Sequence, residues 1–127
     1  MIEVGVAARF TATHRLRGDF GPATRRHRHD YRVEAVARGE RVAADGTLVD
    51  LGRLQGALND CLGDLDGRDL DALALFEGEN TTAERVAAHV FDRLREALDG
   101  GDAVRSLRVT VYESDDAWAA VDRPLDG

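Results

Sequence analysis

Apolar and polar residues alternate over the first fourteen positions of the chain. One parity is apolar, and the other carries Glu3, Arg9 and Thr11. Because successive side chains of a strand point to opposite faces, this alternation predicts a half-buried β-strand over residues 2–14. His14 has the parity of the apolar set, so it is expected at the end of the buried face. The apolar set is Ile2, Val4, Val6, Ala8, Phe10 and Ala12.

A second alternating segment covers residues 27–38, after a loop over residues 17–26 that contains glycine and proline. One parity of this segment is polar and is expected to face solvent. The other begins with His27 and His29 and continues as an apolar stripe. Two imidazoles therefore extend the buried face of the second predicted strand. The stripe is His27, His29, Tyr31, Val33, Ala35 and Ala37.

Helical spacing of apolar residues begins after Asp50, which predicts a helix over residues 51–63 with Asp50 as its N-cap. Cys61 belongs to the apolar stripe of this helix and is interpreted as a small core residue. The following residues, 63–79, are irregular and acidic. The stripe comprises Leu54, Ala57, Leu58, Cys61, Leu62 and Leu65.

A second helix is predicted to run to about Leu98. Thr81 and Glu84 have the spacing of a capping box, with Thr81 as the N-cap. Gly100 and Gly101 are expected to end the helix. Its buried stripe comprises Ala83, Val86, Ala87, Val90, Phe91, Leu94 and Leu98.

Two further strands are predicted near the C-terminus, over residues 104–113 and 117–121. Glu113 stands at the end of the first of them, with the parity of its apolar face. The order β-β-α-α-β-β predicts an α+β fold, in which a four-stranded antiparallel sheet carries two helices on one face. At 127 residues the chain is expected to form a single domain over residues 1–127.

Charge and composition narrow the class of protein. The formal net charge is −7, which argues against a nucleic-acid surface as the main function. No apolar run is long enough to span a bilayer, and the N-terminal residues lack the pattern of a signal peptide. Cys61 is the single cysteine, so an internal disulfide is excluded and a reducing cytoplasm is expected.

Three of the four histidines, His14, His27 and His29, are expected on one sheet face. Three nitrogen ligands with an open fourth position is the arrangement of a catalytic zinc. They predict a metal site that suits Zn²⁺ best, with other divalent ions as alternatives. Alternatively, His27 and His29 are edge histidines satisfied by the backbone. The fourth histidine, His89, lies off its helix stripe and is interpreted as a solvated surface residue. Glu113 either points to water or is a buried carboxylate that accepts from adjacent N–H donors of a ligand.

Six segments, in this order and spacing, resemble motifs of the 6-pyruvoyltetrahydropterin synthase and 6-carboxytetrahydropterin synthase family. The resemblance covers nearly the whole chain. The first two segments resemble F-x-A-x-H-x-L and H-G-H-N-Y. The others resemble G-x-V-x-D-F, the start of L-D-H, N-P-T-A-E and a final strand that ends in a pterin-anchoring glutamate. The segments are residues 10–16, 27–31, 46–51, 65–66, 80–84 and 109–113.

The resemblance implies a tunnelling fold, in which subunits join their sheets into a barrel, usually as a homohexamer. It implies Zn²⁺ on His14, His27 and His29. It also implies a pterin-like ring held by Glu113, near Thr82, in a pocket at a subunit interface. An open zinc site can polarise a carbonyl or hydroxyl of the substrate's side chain, while the glutamate holds the far end of the ring.

The chain departs from the family pattern at two catalytic positions. The family's cysteine, four residues before the first histidine of H-G-H, is Ala23 here, and its histidine in L-D-H is Gly67. Neither residue can carry a proton, so only Asp66 of the usual Cys/Asp/His relay remains. Asp19, the one carboxylate in the loop, is a candidate replacement base. Cys61 is expected to face the core and not to substitute.

Three functional hypotheses follow. The first is a zinc-dependent enzyme with lyase-type chemistry on the C6 side chain of a dihydropterin, altered or reduced by the two replacements. The second is a non-catalytic, zinc-containing protein that binds a pterin-like or purine-like ligand. The third is a zinc-stabilised oligomer without a small-molecule role. Retention of the three histidines, Asp66 and Glu113 favours the first two hypotheses over the third.

Overall fold

The computed structural model describes residues 1–98 and 103–125, in which two helices pack on one face of a β-sheet. No helix in these ranges is long and apolar enough to cross a membrane. In chain order the elements are β1 (Ile2–His14), β2 (His27–Gly39), α1 (Leu51–Gly63), β3 (Arg68–Asp69), α2 (Ala83–Ala97), β4 (Ser106–Tyr112) and β5 (Trp118–Pro124).

The sheet has the strand order β3-β1-β2-β4-β5. Its four long strands are antiparallel to their neighbours, whereas β3 pairs with β1 in parallel through Ala12 and Thr13. The predicted α+β architecture with two helices is confirmed. The prediction of four antiparallel strands in the order β-β-α-α-β-β is wrong in detail, because the sheet is mixed and has a fifth strand. A strand of two residues is too short to show alternation, so the sequence pattern could not reveal β3.

The hairpin of β1 and β2 positions the histidines. The two strands pair over thirteen residues, with Phe10 opposite Tyr31 and His14 opposite His27. Because the pairing keeps the parity of both strands, their apolar stripes lie on the same face, against the helices. His14 is buried at the end of this face, as the alternation predicts.

Helix α1 begins and packs as predicted. The Asp50 carboxylate accepts a hydrogen bond from the backbone N–H of Arg53, which is the expected N-cap geometry. Cys61 is fully buried in the core. Burial raises the pKa of Cys61 to about 11, so its thiol remains protonated at neutral pH.

Helix α2 begins one residue later than predicted. Its N-cap is Thr82, whose hydroxyl accepts from the backbone N–H of Arg85, and the assignment of Thr81 as the cap is wrong. Thr81 is instead buried just outside the helix. The described helix ends at Ala97, and the predicted stop at Gly100 and Gly101 lies outside the described residues.

His89 is half-buried, so its interpretation as a solvated residue is wrong. Its ring lies 5.8 Å from that of Phe76, and its Nε2 atom is buried without a hydrogen-bond partner among the described residues. Phe76 comes from a 3-10 turn, Ala74–Phe76, that the helix periodicity of α2 does not reveal. Burial, followed by the charge of Arg93, lowers the pKa of His89, and Asp92 and Asp64 oppose this shift.

The buried imidazole of His89 predicts a loss of stability in acid. The unfolded chain protonates this side chain near the ordinary histidine pKa of 6.5, before the folded chain does. The free energy of unfolding should therefore fall as the pH drops below about 6.5. In His89→Leu the fall should be smaller, as measured by urea midpoints at mildly alkaline and mildly acidic pH. An equal fall in both proteins would contradict this assignment.

Candidate metal centre

Three imidazoles meet at the end of the sheet where β1 stops and β2 starts. His14 lies opposite His27 across the strand pair, and His29 lies one pleat further along β2. The ring centroid of His14 is 4.5 Å from that of His27 and 5.1 Å from that of His29, and the latter two are 4.7 Å apart. One nitrogen from each ring lies within 4.8 Å of the others. We call His14, His27 and His29 the histidine cluster.

Backbone carbonyls determine the tautomers of two members. The Nδ1 atom of His14 lies 2.8 Å from the carbonyl oxygen of Thr81, and that of His27 lies 2.7 Å from the carbonyl oxygen of Arg25. A carbonyl only accepts, so in both neutral rings Nδ1 carries the proton and donates it. The Nε2 lone pairs are left free. Metal-binding histidines typically have a carbonyl or a carboxylate behind the ring in this way.

The environment of His14 fits a bound cation. Its side chain is 1% exposed, and its Nε2 atom has no hydrogen-bond partner among the described residues. A buried polar atom without a partner is unfavourable by about 1–3 kcal/mol, so native proteins rarely keep one unless something binds it. His27 and His29 are half-buried, which leaves the cluster accessible from one side. The donor set and this accessibility fit Zn²⁺ with an open position.

Electrostatics keep His29 neutral. Burial lowers its pKa, and the neighbouring His14 and His27 rings lower it further, while Glu113 opposes the shift through its charge and a backbone hydrogen bond. Because only neutral imidazole binds a metal, a lowered pKa favours the state that can act as a ligand.

Tyr31 and Glu113 border the cluster on the same sheet face. The Tyr31 ring stacks on Phe10 at 4.5 Å and lies 5.4 Å from the His29 ring. Burial, together with the charges of Glu113 and Asp71, raises the pKa of Tyr31, which therefore stays protonated. Glu113 directly follows β4, where Arg32 pairs with Tyr112, so the next position lies beside Tyr31. It is half-buried, and its N–H donates to the carbonyl of Ala117 at the β4–β5 turn.

The other predicted site residues have contacts elsewhere or face solvent. The Asp66 carboxylate accepts from the backbone N–H of Thr11 at 2.9 Å, and the Thr82 hydroxyl caps α2. Asp19 is exposed in the loop after β1. Ala23 lies in a 3-10 turn of that loop, where its carbonyl accepts from the N–H of Leu16.

Gly67 adopts a left-handed backbone conformation with φ of +73°, while its N–H donates to the carbonyl of Thr11. A Cβ at this position would meet no atom within 4 Å, so a side chain here is unfavourable only because of the left-handed backbone conformation.

Gly67→His is therefore expected to lower the free energy of unfolding by roughly 1–2 kcal/mol. Gly56→Ala, in α1 and equally unobstructed, should instead raise it by up to about 1 kcal/mol. Urea denaturation of both variants tests this contrast, and similar effects would refute it.

Thr81 and Asp71 form a second layer behind His14 that the sequence pattern did not indicate. The Thr81 hydroxyl oxygen lies 3.2 Å from His14 Nδ1, and it donates to the Asp71 carboxylate at 3.0 Å. The other Asp71 oxygen accepts from the backbone N–H of Arg15 at 2.8 Å. The sequence of this acidic loop does not indicate which of its carboxylates contacts the end of β1. The role of Asp71 is therefore visible only in the tertiary structure.

A cavity of about 510 Å³ lies next to this second layer. Asp71 and Arg15 connect it to the end of β1, while Glu113 and the histidine cluster are not among its described lining residues. The histidine cluster and Glu113 are therefore not part of this cavity. Its lining includes Arg15, Arg17, Asp71, Leu73, Phe76 and Glu79.

Comparison with known proteins relates the chain to one family. The family whose sequence pattern is described as 6-pyruvoyl tetrahydropterin synthase matches residues 3–124. None of the curated proteins matches the sequence significantly. Because the family match covers nearly the whole sequence, the chain belongs to the 6-pyruvoyl tetrahydropterin synthase family, and the predicted resemblance to this family is confirmed.

Solved structures show the same fold at low sequence identity. The 6-pyruvoyl tetrahydropterin synthase of Caenorhabditis elegans is 24% identical, with a TM-score of 0.83 over 96% of this chain and 95% of that chain. The Plasmodium vivax protein of that name is 19% identical, with a TM-score of 0.83 over 97% and 98%. An uncharacterized protein from Wolinella succinogenes, 16% identical, has a TM-score of 0.71 over 94% and 97%.

Proposed function

We propose that this member of the 6-pyruvoyl tetrahydropterin synthase family holds Zn²⁺ on His14, His27 and His29 and acts on a pterin-like small molecule. The observation that carries the proposal is the buried Nε2 atom of His14, which has no partner among the described residues while carbonyls hold Nδ1 of His14 and His27. Bound zinc would supply a Lewis acid that polarises an oxygen on the ligand's side chain.

Glu113 is the proposed anchor for the ring of the ligand. Its carboxylate can accept two parallel hydrogen bonds from adjacent N–H donors, as a guanidine-like edge presents them. Its position beside Tyr31 and His29 supports this role, because Glu113 and the histidine cluster lie on one face of the sheet. A pterin bound by Glu113 would then direct its C6 side chain toward the metal. Thr82 is proposed to contact the same ring from the start of α2.

Proton transfer is the part of the chemistry that we expect to be altered. Ala23 and Gly67 occupy the positions of the family's cysteine and histidine, so Asp66 is the remaining relay residue, with Asp19 as a candidate replacement base. Our first proposal is lyase-type chemistry on the C6 side chain of a dihydropterin, altered or reduced relative to the standard reaction. The non-catalytic alternative is favoured by Asp66, whose carboxylate is already engaged by the backbone of Thr11.

We also propose that the protein works as a homo-oligomer, a hexamer by family resemblance. Glu113 and His29 are half-buried at an open end of the sheet, so a second copy would be needed to enclose a ring there. The outer edge of β5 and most of the outer edge of β1 carry no partner strand within the described ranges, and such edges usually require covering.

The proposal is tested on the purified protein by measuring bound zinc and incubating it with dihydroneopterin and with dihydroneopterin triphosphate. Product that disappears in Asp66→Ala and in His27→Ala would support the enzyme. Tight binding without turnover would support the binding protein. Absence of zinc from the wild-type protein after growth in zinc-supplemented medium would refute both.

A further inference from the structure

We infer that Asp71 is a positioning residue for the metal centre, acting on His14 through the hydroxyl of Thr81. The inference rests on the proposed function in one respect, which is that the histidine cluster holds a metal. It concerns a different element of the protein, namely the acidic segment between α1 and α2. Asp71 lies in a 3-10 turn, Leu70–Ala72, that begins directly after β3.

The Asp71 carboxylate contacts two groups that adjoin His14. One oxygen accepts from the Thr81 hydroxyl at 3.0 Å, and the oxygen of that hydroxyl lies 3.2 Å from Nδ1 of His14. The other oxygen accepts from the N–H of Arg15, the residue after His14, at 2.8 Å. The first contact fixes the plane of the ring and the second fixes the end of its strand. Together they aim Nε2 in one direction.

A further pair of contacts links the same turn to the second ligand strand. The Asp69 carboxylate accepts from the backbone N–H of Asp71 at 3.1 Å and forms an ion pair with Arg26 at 3.0 Å. Arg26 directly precedes His27, so residues 69–71 connect the end of β1 with the start of β2. The Arg26 side chain is 66% exposed, so this ion pair is a weaker restraint than the part-buried hydrogen bond between Thr81 and Asp71.

The charge of Asp71 distinguishes His14 from His27. A neutral backbone carbonyl stands behind both rings, that of Arg25 for His27 and that of Thr81 for His14. Behind His14 there is also a hydroxyl that is polarised by a carboxylate. A carboxylate in this place raises the basicity of the ligating nitrogen, and loss of such a partner typically weakens metal binding by about 10- to 100-fold. Because Asp71 is exposed and its charge is screened, we expect an effect near the lower end, about tenfold.

The experiment compares zinc affinities, measured by chelator competition, with the thermal stability of the metal-free proteins. Asp71→Asn keeps the shape of the side chain and removes its charge. Thr81→Val removes the hydroxyl that transmits it, while Thr81→Ser retains that hydroxyl as the conservative control. Asp60→Asn, an exposed carboxylate on α1, is the matched control for loss of one negative charge. The visible spectrum of the Co²⁺-substituted proteins reports ligand geometry independently.

We expect about tenfold weaker zinc binding and an altered Co²⁺ spectrum in Asp71→Asn and in Thr81→Val, with Thr81→Ser and Asp60→Asn close to wild type. When Asp71→Asn and Thr81→Val are combined, the two losses of zinc affinity should not add, because Asp71 acts on His14 through the Thr81 hydroxyl. Wild-type affinity in a folded Asp71→Asn protein, or additive losses, would overturn the inference while leaving the zinc site intact. A wild-type protein that binds no zinc would instead refute the proposed function. If Asp71→Asn does not fold, the comparison of Thr81→Val with Thr81→Ser decides.

Discussion

His27→Ala is expected to weaken Zn²⁺ binding by more than about 100-fold, beyond the range typical for loss of a partner behind a ligand. Two imidazoles on neighbouring strands cannot complete a three-nitrogen site, and within residues 1–98 and 103–125 the metal-binding group consists of the three histidines alone. His27 is half-buried, so its removal should leave the core packing around Tyr31 and Phe10 largely intact. Isothermal titration of the metal-free protein with zinc measures the effect.

His89→Ala is the control for this measurement. It removes the one histidine outside the cluster, which lies against Phe76, and it should leave the zinc affinity unchanged. A His27→Ala protein that is folded and keeps wild-type zinc affinity would show that the metal is held elsewhere or by other atoms. Equal losses in the two variants would point to general destabilisation instead of ligand removal.

Glu113→Gln is expected to weaken binding of dihydroneopterin by roughly 10- to 150-fold, which corresponds to loss of a charged hydrogen-bond acceptor worth about 1.5–3 kcal/mol. Glutamine retains the size of glutamate, but its amide presents a donor toward the N–H groups of the ring, so one contact becomes repulsive. Zinc affinity should be nearly unaffected, because Glu113 is not a member of the histidine cluster. The variant also keeps the backbone group of residue 113 that bonds His29 and loses only the charge.

Glu96→Gln provides the matched control, since it removes an exposed carboxylate on the solvent side of α2. Fluorescence titration with dihydroneopterin distinguishes the two variants. If Glu113→Gln and Glu96→Gln bind the ligand equally well, Glu113 is not the anchor. If the wild-type protein binds zinc but no pterin, the proposal of a pterin-like ligand is wrong, whereas the proposal of a metal site is supported.

Strand parity alone is sufficient to predict where the histidines lie. The apolar stripes of β1 and β2 continue directly into His14 and His27, so burial of the stripe also decides the face of the imidazoles. The hairpin register then brings the two rings together without any further information. Glu113 follows by the same logic from β4. These residues are predictable because side chains of a strand alternate strictly between two faces. A register shift of one residue would move the whole apolar stripe to the solvent face.

Residues between the regular elements cannot be predicted in this way. Thr81 has the local spacing of a capping residue, but its hydroxyl donates to Asp71, and Thr82 caps the helix instead. The two-residue strand β3 pairs with β1, and the turn that carries Asp71 accepts a hydrogen bond from Arg15, so both depend on partners far away in the sequence. The interpretation of His89 as a solvated residue is wrong because the pattern of its own helix does not show that Phe76, from a separate turn, packs against its ring.

The buried thiol of Cys61 has a practical consequence for studying this protein. With a pKa of about 11 and no solvent contact, the single natural cysteine should be nearly inert to alkylating reagents in the folded state. In the folded wild-type protein, thiol-specific reagents should therefore label almost nothing. A cysteine introduced by Ala23→Cys would be the one reactive thiol, and its alkylation rate would report the local environment of the loop between β1 and β2.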